Sequence, residues 1–110
     1  MGRQLVSKDF DALAWLQAWF AENCDGEWEK QCGVNLTTTE EPGWFLSLPL
    51  QDTVLENRAF KRIDHNRKTD ASWWICQVGE GHFLAACGPS DLAAVIALFR
   101  DWAAGGAAAE

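Results

Sequence analysis

The sequence predicts an α+β domain: a mainly antiparallel sheet of about four to six strands, flanked by an N-terminal and a C-terminal helix. Three observations carry this. Two segments, one towards each end, repeat apolar residues at helical spacing. The stretch between them consists of short period-two segments punctuated by Gly, Pro and Asp. At 110 residues the chain has room for one core, because domains of this kind run to roughly 100–150 residues. A single domain over residues 1–104 is expected, with 105–110, small and low in complexity, forming a disordered tail.

In the first helical segment Phe10, Leu13, Leu16 and Phe20 form the apolar stripe, with Trp15 and Trp19 flanking it and Asp11, Ala14, Ala18 and Glu22 opposite. Ser7 or Asp9 is positioned to cap its start, and Asn23 followed by Asp25-Gly26 ends it. Cys32 to Thr39, with Val34, Leu36 and a threonine run, reads as a strand, and the alternation Trp44, Leu46, Leu48, Leu50 as its partner. Glu41-Pro42-Gly43 supplies the turn between them. Pro49, which has no amide hydrogen, demotes the end of the second strand to an edge or a bulge.

Phe60 to Asp64 adds a strand, followed by a polar connection from His65 to Asp70. Trp73 to Val78 and His82 to Cys87 form a hairpin about Gly79-Glu80-Gly81. Gly88-Pro89-Ser90-Asp91 then opens the last helix, in which Leu92, Val95, Ile96, Phe99 and Trp102 share one face. The helices are expected on one face of the sheet, the other being left open.

Hydrophobic residues make up 48% and charged residues 23%, a balance that folds. Seven tryptophans and six phenylalanines, with no tyrosine, mean that large rings dominate both core and interface. The formal net charge of −7 argues against nucleic acid or an anionic membrane as partner, since both are bound through clustered Lys and Arg. The charge is also polarised: Asp9 to Glu56 carries ten acids against the single base Lys30, whereas Arg58 to Lys68 sets five bases against Asp64. Met1 to Lys8 lacks an apolar export core and no apolar run approaches the about 20 residues needed to cross a bilayer, so a cytoplasmic protein is expected.

Catalytic constellations are thin. Cys24, Cys32, Cys76 and Cys87 come without an export signal and read as buried free thiols. Seven, forty-three and ten residues separate them, which makes no chelating knuckle, and no nucleotide or metalloprotease motif is present. No cofactor and no metal is therefore expected. His65 and His82 read as solvated turn residues. A thiol-dependent enzyme using Cys24 or Cys87 would require a lowered thiol pKa, and neither has an electropositive setting.

The informative stretch is Cys24-Asp25-Gly26-Glu27-Trp28-Glu29, three carboxylates around one large ring. As a strand it would point Glu27 and Glu29 one way and Trp28 the other. The residues alone allow two readings: Trp28 plugs the core while the acids are solvated, or the segment is a contact surface of aromatic and charged hot-spot composition.

Trp15-Leu16-Gln17-Ala18-Trp19-Phe20, the Cys24-to-Glu29 block, Gly33 and Pro42-Gly43-Trp44 resemble the immunity protein 53 family of bacterial polymorphic toxin systems. Trp73 to Cys76, the Phe83 strand and the Leu92-to-Trp102 helix agree, so the likeness spans Leu13 to Trp102. The family pattern has His and an aromatic where this sequence has Lys30 and Cys32, and no role resting on that His carries over. The resemblance implies a non-enzymatic cytoplasmic protein, encoded beside a toxin, that binds the toxin and blocks it. A toxin with a basic, nuclease-type domain suits the acidity, which would steer association. Asp25, Glu27, Trp28, Glu29 and Trp44 are the candidate contact residues, with Glu40 and Glu41 as rim. A binding module for a non-toxin partner, or a small thiol-dependent enzyme, is the alternative.

Overall fold

A computed structural model describes residues 10–65 and 72–105. The expected Ser7 or Asp9 cap, most of the His65–Asp70 connection and the 106–110 part of the tail lie outside these residues. The element order is α1 (Ala12–Asn23), α2 (Trp28–Gln31), β1 (Asn35–Thr39), β2 (Gly43–Pro49), β3 (Ile63–His65), β4 (Trp74–Gly79), β5 (His82–Cys87) and α3 (Leu92–Ala103). The five strands form one antiparallel sheet in the order β1-β2-β5-β4-β3, so the α+β expectation holds.

The β4–β5 hairpin turns on Glu80 and Gly81, both with positive φ (52° and 80°), as a type I′ turn requires. Because Leu50 donates to Gly81 across the end of β2, residues 44, 46 and 48 of β2 direct their backbone groups to β5 and residues 43, 45 and 47 theirs to β1. β1 reaches only to the Asn35–Ser47 pair, so Pro49 falls where β2 has lost that neighbour and no donor is missed.

One sheet face carries Leu46, Leu48, Phe83, Ala85, Cys76 and Cys87, all buried, and α3 packs on it. Val95, Ile96, Phe99 and Trp102 of α3 are buried at the predicted spacing. The ring cluster extends outward from there: Phe83 meets Phe99 at 4.9 Å, and Phe60 stacks edge-on against Phe83 and Trp102. Arg58 donates to the carbonyls of Trp102 and Ala103, capping α3 with a cation where the helix dipole favours one.

At the other end of α3, Asp91 occupies the N-cap position, but its carboxylate is turned away from the helix amides. It is buried and accepts from the Ser72 hydroxyl and the Trp73 amide, tying the start of β4 to the start of α3.

α1 differs from expectation in phase. Its cap is Asp11, whose carboxylate accepts from the Ala14 amide, and Phe10 precedes the helix, stacked under Arg100. Trp19 lies at the centre of the buried stripe beside Leu16, and Leu13 is 64% exposed. Edge-on packing of Trp19 against Phe99 (5.1 Å) and Trp28 (6.0 Å) fixes this rotation.

Candidate partner-binding site

The Cys24–Glu29 segment folds as a capped turn, not as a strand. Oδ1 of Asp25 accepts from the amides of Glu27 and Trp28, both at 2.9 Å, and so starts the single turn α2. The Glu29 carboxylate reaches back to the amides of Asp25 and Gly26, at 3.0 and 2.9 Å. Gly26, at φ 98°, supplies the left-handed residue the reversal needs. Amide donation, chiefly from Trp28 and then Glu27, holds the Asp25 carboxyl below its usual range. Two of the three carboxylates thus build the loop, while Glu27 stands exposed with no side-chain hydrogen bond among the described residues.

Trp28 lies under that loop and is 5% exposed, with its indole N–H donating to the Gln51 carbonyl at 2.8 Å. Sequence reasoning left its place open between core and contact; the ring is in the core. Trp44 is half-buried, with its indole N–H on the Pro89 carbonyl at 3.0 Å, and it lines a shallow hollow with Thr38, Thr39, Glu40 and Pro42. Glu40 and Glu41 are exposed on the β1–β2 turn, where the Thr39 hydroxyl donates to the Glu41 carbonyl.

The structure brings Asp25, Trp28 and Glu29 into direct contact but does not bring Glu40, Glu41 and Trp44 to them. Trp28 is fastened to Gln51, beyond the end of β2, whereas Trp44 stands at its beginning. Seven residues of extended chain separate those anchor points, roughly 20 Å. The strand order also places Glu40 and Glu41, which follow β1, at one edge of the sheet and Lys61 and Arg62, which lead into β3, at the other, four strand spacings or about 19 Å away.

Sequence reasoning missed an apolar groove of about 560 Å³ between α1 and the segment that leads into β1, lined by Leu13, Leu16, Phe20, Cys32 and Val34 together with Glu29. The signal was Leu13, an apolar residue that the rest of α1 leaves outside the core.

The thiols are not set up for nucleophilic chemistry. Cys32, Cys76 and Cys87 are buried and free, as read from the sequence, but Cys24 is exposed. Desolvation pushes Cys76 up to about 12 and Cys87 up to about 11. Cys24, whose Sγ lies 3.3 Å from the Phe20 carbonyl, is also raised, by desolvation and then by the carboxylates of Glu29 and Asp25. Among the described residues, no group of three or more His, Cys, Asp or Glu side chains is placed to hold a metal. In an alkylation time course at pH 7.5, Cys24 is expected to react more slowly than free cysteine and the other three only after denaturation. Rapid labelling of any of the four would reopen thiol chemistry.

These features define a small, acidic α+β domain with Glu40 and Glu41 at the β1 edge of its sheet. The family described as Immunity protein 53 matches residues 13–104, most of the chain, and the chain belongs to that family. No curated protein and no solved structure matches it. No helix among the described residues is long and apolar enough to cross a membrane.

Proposed function

We propose that this chain neutralises a cognate toxin, encoded beside it, by binding the toxin in the cytoplasm through the acidic β1 side of the domain. Membership of the immunity protein 53 family is the observation that carries the reading. Asp25, Glu27, Glu29, Glu40, Glu41 and Trp44 form the contact surface, and Trp28 supports it from beneath. Acids concentrated on one side of a domain raise the encounter rate with a basic partner, and a basic nuclease-type toxin domain fits that charge. Inhibition is by binding, without catalysis, which accords with the raised thiol pKa values.

The test is co-expression with the neighbouring toxin, followed by affinity measurement on the purified pair. The chain is expected to protect the host cell and to co-purify with the toxin. Glu27→Lys, Glu40→Lys and Glu41→Lys together leave the Asp25 and Glu29 caps in place. They are expected to weaken binding roughly ten- to a hundred-fold, mostly through the association rate and less so at high salt. Unchanged affinity in a folded triple variant would remove the acidic surface from the contact. A module for a non-toxin partner is separated by the same experiment, since it gives no protection.

A further inference from the structure

Among the described residues no strand covers the outer edge of β1, and its backbone groups are exposed to a partner. In the antiparallel pairing, Asn35, Thr37 and Thr39 spend their amides and carbonyls on β2, so those of Leu36 and Thr38 point outward. Among the described residues no backbone amide or carbonyl bonds to these outward groups, and their one side-chain contact is a long one, the exposed Thr37 hydroxyl donating to the Thr38 carbonyl at 3.4 Å. All five residues of β1 are exposed.

The two edges of the sheet are treated differently. β3, described over Ile63–His65, carries Asp64 and His65, with Lys61 and Arg62 just before it, the charged form of edge that resists pairing. β1, Asn-Leu-Thr-Thr-Thr, has no charge, no proline and no bulge. The apolar groove is lined by Cys32, Gly33 and Val34 just before it, and two of the three exposed large apolar side chains among the described residues are Leu13, in that groove, and Leu36, on β1.

Charge decides the occupant. β1 is preceded by the Asp25–Glu29 loop and the 30–34 connection and is followed by Glu40 and Glu41; three carboxylates against the one cation of Lys30 leave the first end net acidic, like the second. A second copy pairing antiparallel through β1 would set Glu40 and Glu41 against the other copy's Asp25–Glu29 loop, like charge on like. A strand with basic ends meets the opposite sign at both.

We propose that β1 is a strand-addition site. An extended segment of the toxin pairs with β1 as a sixth strand, donating to and accepting from Leu36 and Thr38. Its alternate apolar side chains lie over Leu36 and Leu13 towards the groove, and Lys or Arg at each end faces the two acidic groups. This rests on the toxin-binding reading above and adds the mode of recognition to it. The two acidic groups, roughly 20 Å apart, then belong to one contact because a strand of six or seven residues spans that length.

Proline at position 38 removes an outward amide while leaving the β1–β2 bonds intact, a substitution that edge strands tolerate. Thr38→Pro, with fold confirmed by circular dichroism and denaturation, is expected to weaken the Kd for the neighbouring toxin at least about tenfold, the effect of one lost backbone bond plus a displaced strand. In the wild-type chain, which needs no substitution, residue-resolved hydrogen exchange is expected to show the Leu36 and Thr38 amides exchanging freely alone and protected in the complex. Tight binding by wild type with those two amides still exchanging freely, or equal affinity of a folded Thr38→Pro variant, overturns strand addition and leaves toxin binding standing. Failure of the wild type to bind the toxin overturns both. Protection of both amides in the isolated chain, with sedimentation showing a dimer, assigns the edge to a second copy and overturns the proposal.

Discussion

Trp28→Ala is expected to destabilise the domain by about 3–5 kcal/mol, the range for truncating a large buried ring, with urea denaturation as the measurement. The ring is 5% exposed, packs against Trp19 and Phe20, and fastens the Asp25–Glu29 loop to the end of β2 through its bond to Gln51. Losing it removes the support of the acidic loop as well as core volume. A marginally stable domain of about 5–15 kcal/mol survives this only in part. Trp28→Phe fills most of the space, loses only the indole bond, and is expected to cost about 1–2 kcal/mol. The pair separates support from contact: if Trp28→Phe stays folded and keeps its toxin affinity within about threefold, the ring acts from beneath. A drop of more than about tenfold at unchanged stability would place the ring in the interface.

What the sequence revealed and what it hid divide along a physical line. The β4–β5 hairpin and α3 were legible because their signals are local and repeated: two turn residues fixed by positive φ, and one apolar face at regular spacing. The Cys24–Glu29 segment was not. Its structure comes from two carboxylates bonding to backbone amides two to four residues away, and such bonds leave no trace in hydrophobic periodicity. The rotation of α1 was hidden for another reason. With apolar residues almost all round the helix, only the edge-on partners Phe99 and Trp28 decide that Trp19 goes in and Leu13 stays out. The spread of the acids was hidden by chain connectivity, since residues 25–29 and 40–41 are near in sequence yet β1 carries the chain between them.

That separation changes how each acid is to be interpreted. Asp25 and Glu29 hold the loop, so their removal alters shape and charge together. The carboxylates of Glu27, Glu40 and Glu41 make no such bond among the described residues, so replacing them alters charge and leaves the loop in place. The sign for Asp25 follows from its depressed pKa: its contribution to stability is present above the unfolded-state value and is lost as pH falls through the lower folded-state value. The buried thiols act at the opposite end of the scale. With Cys76 raised to about 12 and Cys87 to about 11, the stability they lend is complete below the unfolded thiol pKa and is lost as pH rises towards those values.

Gly43→Ala is expected to be nearly as damaging as loss of the Trp28 ring, for a reason that has nothing to do with volume in the core. Gly43 is buried where β2 leaves the turn, and a Cβ there would run into the backbone carbonyl of Cys87, with the Thr39 hydroxyl oxygen also close at 3.3 Å. A carbonyl fixed in the β2–β5 ladder cannot swing aside as a side chain can, so β2 itself has to move away from β5. The expected cost is about 3 kcal/mol, at the upper end for overpacking, together with loosening of the Trp44–Cys87 pair. Because the same shift drags the Glu40–Glu41 turn and the Thr39 end of β1, toxin affinity should fall with stability, and the Thr38 amide should exchange faster than in the wild type. Gly33→Ala is the matched control: it lies at the opposite end of β1, where an added Cβ meets nothing within 4 Å, and should leave stability within about 0.5 kcal/mol. Equal stability of Gly43→Ala and Gly33→Ala would mean that the β2–β5 approach is looser than this packing requires.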